Sequence, residues 1–163
     1  MSTKRITQLG ILTTIALIIF VVELRLPDLS FIPGMKLGLA NIVTVYAVYR
    51  YTAKEAAMIL FSRTLLGSIF GGNMSALIYS LSGGIMCLLG MLTLRKILDE
   101  RRMWVSSVIG AALHNVGQTL AAIAVMRTTA VIAYLPFLLV AGCLAGAFTG
   151  LCAQSVAGRV KAR

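Results

Sequence analysis

Of the 163 residues, 59% are hydrophobic and 12% charged, and the mean hydropathy is +0.93, outside the range of soluble domains. At roughly 20 apolar residues per crossing, the chain has room for about six spans joined by short loops and none for a second, soluble catalytic domain. The formal charge of +10 would fit nucleic acid, but basic residues in a chain this apolar usually report topology, so their placement decides.

The first apolar run, residues 6–22, follows Lys4 and Arg5 and ends at Glu23. No small-x-small cleavage site follows it, so it is read as an uncleaved first helix rather than a signal peptide. The linker from Glu23 to Gly38 holds Pro27, Pro33 and Gly34 and cannot be a regular helix. Its apolar residues suit a loop lying on or in the membrane surface. The second run, 37–51, is short for a crossing, and such helices are tolerated at depth mainly where they face a cavity or other protein. Runs at 53–70, 74–94, 104–126 and 131–154 complete the series, with a basic break at residues 95–103. The sequence predicts one domain over 1–163: an all-α integral membrane protein with a six-helix transmembrane bundle.

Alternating loops put Lys4, Arg5, Arg50, Lys54, Arg95, Lys96, Arg101, Arg102, Arg159, Lys161 and Arg163 on one face and only Arg25, Lys36 and Arg127 on the other. By the positive-inside tendency the rich face is cytoplasmic, with both termini there. This asymmetry accounts for the net charge without nucleic acid. Cys87, Cys143 and Cys152 fall in apolar stretches without metal-ligand spacing and read as small core residues.

Arg63 is the remaining basic residue, and it lies inside the third run. An arginine at the centre of a span costs at least ~2.5 kcal/mol, so something must solvate it. At 1.5 Å per residue, Arg63 sits about 14 Å above Lys54, and the single histidine, His114, about 15 Å above Trp104. The two therefore meet at one level near the midplane. His114, Asn115 and Gln118 form a candidate polar stripe on the fifth helix, and Asn41, Asn73, Tyr79 and Ser80 enter from the opposite end. Together they predict a polar cavity opening outward around one fixed positive charge. The competing reading is that Arg63 pairs with carbonyls and neighbouring amides to fix helix packing. Lys36, in the first loop, is as well placed to reach headgroups as to touch a ligand.

Gly142, Gly146 and Gly150 make a small-xxx-small face on the sixth helix, and Gly10 with Thr14 a fainter one on the first. Such faces serve packing within a bundle or docking of a separate membrane subunit. An aspartate-rich magnesium-diphosphate site has no material here, because Asp28 and Asp99 are the only aspartates. Neither a phosphate-cradling loop ending in Lys-Ser/Thr nor a Ser/His/Asp motif occurs. Neither a cofactor nor a bound metal is expected, and binding or transport is favoured over catalysis.

Several strings carry a family resemblance. Residues 33–44 (PGMKLGLANIVT), 63–68 (RTLLGS), 79–84 (YSLSGG), 114–118 (HNVGQ) and 134–136 (YLP) resemble the Gx transporter family, also described as heptaprenyl diphosphate synthase component I. The resemblance covers nearly the whole chain. It implies a fold similar to the S components of energy-coupling factor transporters. Those six-helix proteins of the bacterial plasma membrane capture vitamins or their precursors at an outward-facing site. They borrow an ATPase module with a membrane coupling subunit, docking through small residues of the first helix. Here those positions hold Gly10, Thr13 and Thr14 in place of an Ala-xxx-Ala pattern.

Two functions follow as expectations. In the first, the chain is an S-component-like binding subunit for a small anionic or polar-headed molecule. Arg63 supplies charge, His114, Asn115, Gln118, Asn41 and Tyr79 supply hydrogen bonds, and the first loop acts as a lid. In the second, it is a membrane accessory subunit of prenyl-diphosphate or quinone metabolism, with Arg63 or Lys36 meeting the diphosphate. A purely structural bundle is the third possibility.

Overall fold

The computed structural model describes residues 2–25, 38–72 and 74–161; Lys36, Asn73 and most of the expected lid lie outside them. Among the described residues six α-helices follow one another: α1 (Thr3–Arg25), α2 (Asn41–Arg50), α3 (Ala53–Gly71), α4 (Met74–Leu94), α5 (Met103–Met126) and α6 (Leu135–Lys161). Two 3-10 turns, Glu100–Arg102 and Thr129–Tyr134, lead into α5 and α6.

Among the described residues, four segments are long and apolar enough to cross a membrane: Thr3–Glu23, Met74–Leu94, Glu100–Met126 and Thr129–Val160. The remaining two helices differ from the six crossings expected, each for its own reason. With ten residues, α2 is only about 15 Å long, half of a hydrocarbon core. Helix α3 has 19 residues but carries Lys54, Glu55 and Arg63.

The exterior is that of a membrane protein. Leu144 is 70% exposed, Phe148 65% and Val140 64% on α6, surfaces that require an apolar solvent. The interior of α6 is its glycine face, which lies on α5. A Cβ at Gly142 would collide with the Asn115 side chain, one at Gly146 would come within 2.8 Å of Ala111 Cβ, and one at Gly150 within 2.6 Å of Trp104 Cα. These three glycines are thus occupied inside the chain, as helix packing requires. By contrast, a Cβ at Gly10 would meet nothing within 4 Å, and Thr14 is exposed, its hydroxyl returned to Gly10 O at 3.0 Å.

Close approach of α4 and α5 rests on Gly83 and Gly117. A Cβ on Gly117 would fall 2.8 Å from both Gly83 Cα and Ser82 O, and Ser82 Oγ donates to Gly117 O at 2.8 Å. The helices are locked at the level of His114.

One end of the bundle gathers basic residues predicted to share a face. Arg5 Nε and Nη2 donate to the two Glu55 oxygens, each at 2.8 Å, and its guanidinium lies 4.3 Å from the Tyr51 ring centre. Glu55 also closes a capping box with Thr52, which starts α3. Arg95 Nη1 donates to Val48 O at 2.7 Å, satisfying a carbonyl at the end of α2. Arg50 lies 3.6 Å from Glu100 and reaches Ala157 O at 3.4 Å. The start of α1, the α2–α3 and α4–α5 connections and the end of α6 therefore share this end.

Candidate functional site

Helix α2 begins at Asn41, nine residues above its basic end, about 14 Å in. Its N-terminus consequently opens within the bundle, at the level that Arg63 and His114 reach from α3 and α5. Gly38 makes the turn possible: its φ is +79°, and a Cβ there would come within 2.7 Å of Asn41 Nδ2 and 3.3 Å of the His114 ring. Only glycine combines that backbone with such a close approach.

Around this point lies a small cavity lined by Phe20, Glu23, Gly38, Asn41, Arg63, Ser80 and His114. Arg63, 3% exposed, donates from Nη2 to Asn41 Oδ1 at 2.6 Å. Glu23, at the end of α1 and 4% exposed, accepts the Gly38 N–H through Oε1. Arg63 lines the same cavity as this carboxylate. His114 Nε2 is 2.7 Å from Gln118 Nε2. With the amide donating, Nε2 accepts and the ring proton sits on Nδ1.

The cluster is incompletely satisfied. Glu23 Oε2, Asn41 Nδ2, Arg63 Nε, His114 Nδ1 and Gln118 Oε1 are buried without a hydrogen-bond partner. Such groups are rare because each carries a desolvation cost of about 1–3 kcal/mol. The cavity volume of about 10 Å³ is at the lower limit for one water molecule and far below the size of a small-molecule pocket. Among the described residues, no three His, Cys, Asp or Glu side chains gather as metal ligands.

Of the residues singled out from the sequence, Arg63, His114 and Asn41 line the cavity, and Gln118 supports His114 from one turn away. Two others lie elsewhere. Asn115 is turned to α6, where Nδ2 donates to Leu138 O at 2.6 Å. The Tyr79 side chain packs in an apolar cluster with Ala122, Val131 and Leu138, while its neighbour Ser80 takes the cavity position. Glu23 was missed as a site residue. Its signal was an acid at the end of an apolar helix in a chain with an otherwise uncompensated buried arginine.

No curated protein and no solved structure is matched by this chain. Residues 12–156 match the family described as heptaprenyl diphosphate synthase component I, and the chain belongs to that family.

Proposed function

We propose that the protein is a membrane-embedded binding subunit that takes up a small anionic molecule, with ATP hydrolysis supplied by partner subunits. The observation that carries this reading is the buried, partly unsatisfied set of Arg63, Asn41 and His114 at the inner N-terminus of α2. A short helix whose positive end opens at membrane depth, beside a fixed guanidinium, is how transporters hold anionic groups. Arg63 supplies charge, and Asn41 Nδ2 supplies a donor to a second acceptor. In this reading all six helices form one bundle of the S-component kind, in the plasma membrane of a bacterium. The basic end is cytoplasmic. The described cavity is then the closed form, and α1 and α2 part to admit ligand.

A second reading is favoured by the family description and by one feature of the surface. An apolar groove of about 270 Å³ between α1, α2 and α6 is lined by Leu12, Ile15, Ile19, Ile42, Val43 and Tyr46, among others. It begins beside Asn41 in the α2 sequence. An isoprenoid diphosphate would fit with its tail in the groove and its head at Arg63, making the protein an accessory subunit that presents a lipidic substrate to a partner synthase.

Mass spectrometry of molecules extracted from the gently purified protein separates the two. A water-soluble anion is expected for the first reading. A polyprenyl phosphate or diphosphate in its place would overturn that reading in favour of the second.

A further inference from the structure

The position best suited to an anion in this molecule already holds one. Arg63 and the amides that open α2 both favour negative charge, and the carboxylate of Glu23 lines the same cavity as Arg63, with Oε1 accepting the Gly38 N–H. Helix α1 buries a single stripe against the bundle: Leu9, Ala16, Phe20 and Glu23. Phe20 is seated on Gly67, where a Cβ would meet the ring at 2.1 Å. Among the described residues Glu23 is the only polar member of that stripe and its last, so it is the contact at which α1 can be released.

The cavity has no room for a second anion beside Glu23. Two negative groups sharing one buried guanidinium would also repel strongly in a medium of low dielectric. Ligand and Glu23 must therefore exclude one another. We infer that Glu23 is an internal stand-in for the ligand: an incoming carboxylate or phosphate displaces its carboxylate from the Gly38 amide and from the cavity it shares with Arg63, and so frees the end of α1. The inference rests on the anion-binding reading above and adds to it a coupling between site occupancy and α1, whose outer face carries Gly10 and Thr14.

The test uses the full chain in phosphatidylcholine nanodiscs, with inorganic phosphate as the probe. Hydrogen exchange of residues 18–25 in the unaltered protein should rise when phosphate is added. A rise caused by adding phosphatidylglycerol alone assigns the displacing anion to a lipid headgroup, whereas a rise needing phosphate assigns it to a soluble molecule. A rise with neither overturns the inference. Glu23→Gln removes the competing charge and should bind phosphate about tenfold tighter, the equivalent of one lost charge-assisted competitor, with α1 exchange high from the start. Unchanged or weaker binding by Glu23→Gln overturns displacement. Arg63→Gln distinguishes the two levels of failure. If it abolishes phosphate binding while α1 never responds in the unaltered protein, displacement alone is wrong. If it binds phosphate as the unaltered protein does, the anion site itself is wrong.

Discussion

The two ends of α2 are held in different ways. At its C-terminus, Arg95 takes the Val48 carbonyl, Arg50 pairs with Glu100, and Arg5 is divided between Glu55 and the Tyr51 ring. At its N-terminus, Arg63 and Glu23 are more deeply buried, yet Arg63 Nε, Glu23 Oε2 and Asn41 Nδ2 lack partners. Desolvation is costlier at depth, so incomplete pairing there is harder to explain by packing alone than it would be at the surface. The difference is one of charge: the unpaired atoms at the inner end include those of a guanidinium and a carboxylate, whereas the unpaired Tyr49 hydroxyl near the C-terminal end is neutral.

The comparison sharpens under substitution. Arg63→Ala leaves the Glu23 carboxylate buried without its counter-charge and should cost about 3–5 kcal/mol in unfolding free energy, together with phosphate binding. Arg63→Lys should recover part of the stability but not the directed bond to Asn41. Gly117→Ala forces α4 and α5 apart at the level of His114 and should cost about 1–3 kcal/mol, measured by denaturant unfolding in detergent. Glu55→Gln breaks the surface clasp, where Arg5 is 35% exposed. It should lower stability slightly, less so at high salt, and leave phosphate affinity unchanged. Gly10→Leu projects into open space and should shift stability by no more than about 0.5 kcal/mol. An effect of Glu55→Gln on binding as large as that of Arg63→Ala would dissolve the distinction between the two ends.

Much of this was legible in the sequence because depth along a helix is arithmetic. Counting residues from the basic loops brought Arg63 and His114 to one level, and the cavity lies there. What the count could not supply was azimuth. His114 and Gln118, one turn apart, share a face, whereas Asn115 is rotated by about 100° and meets α6. The same rotation exchanges Tyr79 for Ser80. Glycine spacing showed that α6 has a close-approach face, but which helix fills it is a tertiary matter, and α5 does. Helix α2 starts later than its apolar run because the positive φ of Gly38 sets the turn. Glu23 escaped notice because a carboxylate ending an apolar run also reads as an ordinary exit from the membrane.

The central claim is that the Arg63 cluster holds a ligand rather than merely fixing helices. Its most direct test is unfolding stability of the unaltered protein and of folded Arg63→Gln with and without phosphate. At phosphate near 100 times its Kd, the unaltered protein should gain about 2.7 kcal/mol and the variant almost nothing. Equal gains in both proteins, or no gain in either, would contradict the claim.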